Sequence, residues 1–361
     1  MTDARDRWER IRADLEAADR DLVRALEARA RVVKAFIALR ADAPSAYFQL
    51  PSAEEVLARA HAERRAAGGE FPEAGLEPVM REVLGACASL AAPIRVAVPG
   101  PDRSLALVVA REIFGTMAEI VPTGDVSEAL RAVERQEATS AVVPLETSSD
   151  GAFSASLFAL AHGQARIVAE RTIPNAYHLY SRTGNAADIE KIYATPSALA
   201  ACARTLEREL PAATVIEVRS ADVAAQLALA DHGSAAVGTV HGEGEGLRLV
   251  RKHVEDDPTL RTRFVVVGRE SPRRTGSDRT FLALLLNEEP GSLYAALAPF
   301  AQRGINLTRV ESRQAPGASF EQMFFVELDG HVSDRAVLTA LDEVRGKSRL
   351  VKVLGSYPRP S

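Results

Sequence analysis

Two clusters of hydroxyls, carboxylates and arginines could bind and activate a small anion. The first, Pro144-Leu145-Glu146-Thr147-Ser148-Ser149-Asp150-Gly151, follows the apolar run Ala141-Val142-Val143. Open α/β sheets place their sites at such C-terminal strand ends. The second, Asp256-Asp257-Pro258-Thr259-Leu260-Arg261-Thr262-Arg263-Phe264, leads into Val265-Val266-Val267. Hydroxyls and two arginines at a strand entrance could hold and protonate a dianionic acid. By pattern alone, a turn in which Ser or Thr caps a helix explains the first cluster equally well, and a polar approach to a strand explains the second. A third group lies near the C-terminus, where Gly291 follows Pro290 at the point a helix must begin. Unpaired backbone N–H groups there could accept a small carboxylate.

The elements that carry these groups follow from periodicity. Alternating apolar residues predict strands at about 280–287, 305–313, 320–329 and 349–356, and 3.6-residue spacing predicts helices at about 291–303 and 333–345. The order βαββαβ is that of a ferredoxin-like sandwich. Between Pro93 and Gly268 helices alternate with strands, which reads as an α/β fold with largely parallel sheets, of a length that suits two lobes and a cleft. Before Pro93, Trp8, Ile11, Leu15, Ala18, Leu22 and Leu26 recur at helical steps, and shorter helices are expected at about 52–67 and 76–91. The long amphipathic helix needs partners from its own chain or from a second copy. The linker Glu270 to Asp278 marks the last boundary.

Composition narrows the classes. With 361 residues, 47% hydrophobic and 26% charged, the chain reads as globular and multidomain. A net charge of −5 gives no reason to expect nucleic acid or an acidic membrane surface, so an anionic substrate must meet local arginines. Two cysteines, Cys87 and Cys202, support neither a disulfide framework nor a metal site. The seven histidines include no HxxxH or HxH pair, so no metal and no cofactor is expected. A charged start and the lack of a membrane-length apolar run make a cytoplasmic location the expectation. Gly242, Gly244 and Gly246 alternate with glutamates, without the context of a dinucleotide site.

The stretch GSLYAALAPFAQRGINLTRVESR resembles the phenylalanine-sensing form of the ACT regulatory domain, with its GALY, GINLT and ESRP motifs. The order of VVPLETSSDG, YATPSALAAC, AAVGTVHGEGEGL and TRFVVVG resembles prephenate dehydratase. Taken over residues 5–357, the chain resembles the bifunctional chorismate mutase/prephenate dehydratase family. The resemblance implies an all-α mutase-like domain over 1–92, a two-lobed α/β dehydratase domain of periplasmic-binding-protein type over 93–270, and an α+β ferredoxin-like ACT domain over 277–357. It also implies a homodimer or higher homo-oligomer that acts on prephenate and chorismate under control by L-phenylalanine.

By the same resemblance, Thr262 hydrogen-bonds the departing hydroxyl of prephenate, with Arg263, Thr147, Ser148 and Ser197 around it. Thr147 stands in place of Asn, Thr195 and Ser197 in place of His and Gln, and Leu260 in place of Asn, while Arg103 is a new cation in the first turn. Arg12, Arg29, Arg40 and Glu54 fall on the mutase substrate-binding positions, Arg40 in place of a lysine. Ala53 and Ala91 replace an arginine and a glutamine. The effector would meet Gly291, Leu293, Asn306, Glu311, Ser312 and Arg313. These substitutions keep open a catalytically silent phenylalanine sensor and an arogenate dehydratase as alternatives.

Overall fold

The computed structural model describes residues 2–42, 53–100, 104–149, 151–239, 246–314 and 322–360. Pro101, Asp102, Arg103, Asp150, Gly242 and Gly244, and the side chains of Arg40 and Glu54, lie outside the described residues. The chain forms two units, one of Met1–Ile94 with Arg111–Glu119 and one of Arg95–Ala110 with Ile120–Ser361.

The first unit is built on α1 (Thr2–Asp42), α2 (Ala53–Ala66) and α3 (Glu73–Ala88). Charges four apart brace the exposed face of α1, as in the pairs Arg5–Glu9 at 3.3 Å and Arg12–Glu16 at 2.9 Å. α3 packs against both α1 and α2, and Val33, Leu57 and Cys87 are buried among them. The N-terminal half of α1 finds no such cover among the described residues: Trp8, Ile11, Leu15 and Leu22 remain 58–67% exposed.

The second unit begins with β1 (Arg95–Pro99), α4 (Leu105–Phe114), β2 (Glu119–Thr123), α5 (Val126–Glu134), β3 (Ser140–Thr147), β4 (Gly151–Ala152), α6 (Ser154–His162) and β5 (Arg166–Pro174). The chain then crosses to a second lobe of β6 (His178–Ser181), β7 (Lys191–Ala194), α7 (Pro196–Glu209), β8 (Thr214–Glu217), α8 (Ala221–Ala230), β9 (Ser234–Gly238) and β10 (Arg248–Arg251). It returns through β11 (Arg261–Gly268) and ends in β12 (Asp278–Leu285), α9 (Ser292–Gln302), β13 (Leu307–Gln314), β14 (Gln322–Asp329), α10 (Arg335–Arg345) and β15 (Leu350–Pro358). Asp125, Thr195 and Ser220 cap α5, α7 and α8 by accepting a backbone N–H three residues on.

Among the described residues one sheet runs β13-β14-β12-β15-β5-β11-β3-β1-β2, with β4 on β3, and a second runs β10-β6-β9-β7-β8. These sheets are mixed rather than largely parallel. β3 pairs β1 in parallel, but β11 returns from the second lobe at the opposite end and lies antiparallel between β3 and β5. The sheet is continuous across the expected boundary at 270–278, because β15 lies beside β5. Gly355 makes that approach possible: a Cβ there would sit 2.7 Å from the Cβ of Ile167, its register partner. One apolar cluster then spans the join, bringing Leu145, Leu157, Ile167 and Val265 together with Phe281, Phe325 and Tyr357. Leu282 and Leu284 alternate onto the opposite face, under α9 and α10. A strand buried on both faces explains the unbroken apolar run that marks β12 in the sequence.

Candidate active site and effector strand

Thr262 and Thr147 lie directly opposite each other on β11 and β3, and Ile173 of β5 flanks Thr262 on the other side. Directly opposed residues share a face, so the two hydroxyls project on the same side of the sheet. Thr262 is buried and donates a 2.8 Å hydrogen bond to Asn175 Oδ1. Asn175 follows β5 at the crossing between lobes, where its backbone N–H donates to Leu260 O at 2.9 Å. The turn after β3 is pinned to β11 from two directions. Ser148 Oγ accepts from Arg261 N at 3.0 Å, and Ser148 N donates to Arg261 O at 2.9 Å. Thr147 and Ser149 hydroxyls lie 3.3 Å apart. No side chain caps α6 among the described residues, and the hydroxyl of Ser148 serves β11 rather than the helix.

Ser197 stands in the second lobe at the start of α7, its hydroxyl 3.2 Å from that of Thr195. Asp256, which opens the second cluster, accepts from Arg204 N and Thr205 N of α7 at 3.0 and 2.7 Å. Asp257 closes its own loop by accepting from Thr259 N and Oγ1 at 2.8 and 2.6 Å.

Arg263 alternates away from Thr262 into a buried charge network. Its Nε donates to Glu170 Oε2 at 2.6 Å, its Nη1 to Glu146 at 3.0 Å and Glu327 at 3.1 Å, and its Nη2 to Glu327 at 2.6 Å and Tyr357 Oη at 3.0 Å. Burial alone would disfavour its charge, but the groups facing it, Tyr357, Glu327 and Glu170, more than offset that and hold its pKa above the usual arginine value. With every nitrogen given to a partner within the chain, Arg263 is not placed to grip a substrate carboxylate. Arg279 donates to Glu170 at 2.5 Å, and Arg309 joins Glu146 to Glu311.

Sequence reading did not reach Asn175, Glu170, Glu327 or Tyr357, nor a role for Glu146. A signal existed for Glu327, a carboxylate inside the apolar run Phe324-Phe325-Val326-Glu327-Leu328, which must meet a cation if the strand is buried. Asn175 sits 87 residues from its partner and carried no local mark.

In the first unit Arg29, Arg59 and Glu63 line a cavity of about 590 Å³ otherwise walled by Val33, Val56, Met80, Leu84 and Cys87. Arg12 does not line it. Seventeen residues of helix, roughly 25 Å, separate it from Arg29, and it is engaged by Glu16 and by the face of Trp8, 5.6 Å away.

At the C-terminal end of the chain, Gly291 adopts φ 84° and starts α9 with no side-chain cap. Leu285 and Arg313 both pair with Met323, so β12, which leads to Gly291, and the end of β13 lie at one edge of the domain. Glu311 and Arg313 project together there, 3.4 Å apart, and one buried oxygen of Glu311 accepts no hydrogen bond among the described residues. Ser312 alternates to the exposed side of β13. Leu293 lies in the first turn of α9, partly covered by the apolar cluster under that helix. Asn306 lies beyond the other end of α9 and donates to Asp329 at 3.0 Å, so it is not brought together with Gly291 in one chain.

Known proteins match this arrangement. The family model "Prephenate dehydratase" matches residues 96–272, and "ACT domain" matches 280–346. A protein of Aquifex aeolicus named bifunctional chorismate mutase/prephenate dehydratase is 34% identical over 97% of both chains. Prephenate dehydratase of Mycobacterium tuberculosis is 36% identical, covering 73% of this chain and 87% of its own. The crystal structure of prephenate dehydratase in complex with L-Phe from Arthrobacter aurescens superposes with a TM-score of 0.68 at 32% identity, covering 74% of this chain and 90% of that one.

Proposed function

The chain belongs to the bifunctional chorismate mutase/prephenate dehydratase family, and we propose that it converts prephenate to phenylpyruvate, water and carbon dioxide. One observation carries the reading: the Thr262 hydroxyl stands opposite Thr147, beside a turn that Ser148 ties to the same strand. In the reaction the carboxylate leaves as carbon dioxide, its bonding electrons enter the ring, and the ring hydroxyl departs as the ring becomes aromatic. Aromatisation supplies the driving force, so the site need only orient the ring and assist one leaving group. Thr262 donates to Asn175 in the substrate-free chain. Rotation about its C–O bond would turn that proton toward the departing oxygen. Thr147, Ser148 and Ser197 are the proposed polar contacts around the ring. Arg263 acts from behind the strand, by fixing it.

The domain assignment goes with this reading: mutase-like 1–92, dehydratase 93–270 and ACT 277–357. For the mutase, Arg29 is the proposed cavity cation, with Arg40 and Glu54 on the same pair of helices. Arg12 lies too far along α1 to meet a ligand held by Arg29, so a second copy would supply it, its α1 covering the exposed stripe. A homodimer is therefore part of the proposal. Phenylalanine would place its carboxylate at the uncapped start of α9, by Gly291 and Leu293, and its ammonium at Glu311, with Ser312 and Arg313 beside it. Asn306 is assigned to the same effector through a neighbouring copy. A cytoplasmic location fits two buried cysteines that remain free thiols, and no helix among the described residues is long and apolar enough to cross a membrane.

Assay of the purified chain with prephenate tests the reading. Saturable phenylpyruvate formation is the expected result. Phenylalanine binding without turnover of prephenate would identify a silent sensor, and turnover of arogenate alone would move the substrate.

A further inference from the structure

The two oxygens of Glu146 are held by different parts of the chain. Oε1 accepts from Arg263 Nη1 at 3.0 Å, on the strand that carries Thr262. Oε2 pairs with Arg309 Nη1, on β13. Arg309 in turn donates to Glu311 Oε2 at 3.2 Å, and the same oxygen lies 3.4 Å from Arg313 Nη2. Arg313 closes the loop by donating to Ala152 O at 3.4 Å. Ala152 and Glu146 are register partners in the hairpin of β3 and β4, whose turn holds Thr147, Ser148 and Ser149. β13 therefore grips both strands of the hairpin, Glu146 through Arg309 and Ala152 through Arg313. Between these two arginines sits Glu311.

Resting on the dehydratase reading and on phenylalanine as its effector, we propose that Glu146 is a positioning residue for the Thr147–Thr262 pair, and that Arg309 and Glu311 make its position depend on the effector. Glu146 immediately precedes Thr147 and lies opposite Arg263, so a displacement of its carboxylate would be passed to the β3 backbone that carries Thr147, against a β11 strand that Arg263 holds in place beside Thr262. Glu146, Arg309 and Glu311 keep side-chain exposures of 23%, 17% and 15%, so their attraction is only weakly screened by salt. Arg263 stays anchored by Glu170, Glu327 and Tyr357 whatever Glu146 does. Arg309 is the movable member, because it divides its guanidinium between the hairpin and Glu311. A cation arriving at the unpartnered oxygen of Glu311 competes with Arg309 and Arg313 for that carboxylate and changes their hold on the hairpin.

The test compares the full chain with Arg309→Gln and Arg309→Lys. Phenylalanine affinity is measured by calorimetry, prephenate turnover with and without phenylalanine is resolved into kcat and KM, and amide exchange is followed over residues 144–149. In the unaltered chain phenylalanine should change both turnover and exchange in that segment. In Arg309→Gln phenylalanine should still bind, but its effect on turnover should shrink by about tenfold, with exchange at 144–149 no longer responding. Arg309→Lys, which keeps the charge, should recover part of the response. A folded Arg309→Gln protein with the full response overturns the relay, as does one that loses basal turnover while keeping its proportional response. If the unaltered chain binds phenylalanine but does not turn over prephenate, the dehydratase reading fails alone and the exchange data decide the relay. If phenylalanine does not bind, the relay falls whatever the turnover.

Discussion

On α1, Trp8, Ile11, Leu15 and Leu22 stand more than half exposed, whereas in the second unit Phe281, Phe325 and Tyr357 are fully buried. The charges differ in the same way. Among the described residues Arg5 and Arg12 pair along their own helix, at pairs that are 53–80% exposed, while Arg263 meets carboxylates from β3, β5 and β14 at 9% exposure. Helix pairs of the first kind contribute about 0.3–0.5 kcal/mol. Buried networks of the second kind fix geometry, because losing one member strands the others. Among the described residues the second unit thus closes its core and holds its buried charges within one chain, while the first leaves the N-terminal half of α1 uncovered. A chain that carries both should depend on a second copy for one activity and not for the other.

Leu15→Glu breaks the comparison most directly. Placing a charge in the exposed stripe should prevent a second α1 from covering it, shift the solution mass toward the monomer, and cost mutase turnover about 10²–10³-fold as the Arg12 contribution is lost. Prephenate dehydration should stay near that of the unaltered chain. Light scattering and the two assays read this separately, and an equal loss of both activities would end the argument for separate dependence. Next in size is Thr262→Ala, which removes one donor beside the reacting ring. Dehydration should fall by roughly 10- to 100-fold, with mutase turnover retained and stability lowered by about 1–3 kcal/mol as Asn175 loses its donor. Unchanged kcat in that variant would remove Thr262 from the chemistry.

The same contrast shows what was legible in the sequence. β12, α9, β13, β14, α10 and β15 lie within a few residues of the expected positions, because each buries a periodic face. The pairing of β11 between β3 and β5 was not legible, since alternation along one strand does not say which strands flank it or in which direction they run. That one fact reassigned Arg263. As a charge beside Thr262 in the sequence it looks available to an anion, but with Glu146 opposite on β3 and Glu170 close by on β5 it is committed to the protein. Motif order marks Thr262 and Ser148 as candidates, whereas Asn175 is brought to Thr262 only by the crossing segment between lobes, which motif order does not reveal.

Glu327→Gln sharpens the account of the second unit. The substitution keeps the shape but removes a charge that faces Arg263 at 2.6 and 3.1 Å, leaving a buried guanidinium less compensated. Removing one partner of a buried pair outright costs about 3–5 kcal/mol. Because the amide still accepts one bond and Glu170 and Glu146 remain, a loss of roughly 2 kcal/mol in stability is expected. Denaturant unfolding measures it, and a variant as stable as the parent would mean that the network contributes placement rather than stability.

Cys202 offers the mildest test, and it concerns the second lobe alone. The thiol is fully buried on α7, and burial first, then the nearby Asp256 and Glu255, pushes its pKa up to about 12. At pH 8 only about one thiol in 10⁴ would be the reactive thiolate. A thiol reagent should therefore leave Cys202 unmodified in the folded chain and modify it after denaturation, as mass spectrometry of the tryptic peptide would show. Because the lobe closes on its own core, with Ile192, Ala198, Leu206 and Val237 around the sulfur's cluster, the protection should not change with protein concentration. The Leu15→Glu chain should show it as well. Protection that falls on dilution would mean that this lobe, too, needs a second copy, and the division between the two units would no longer hold.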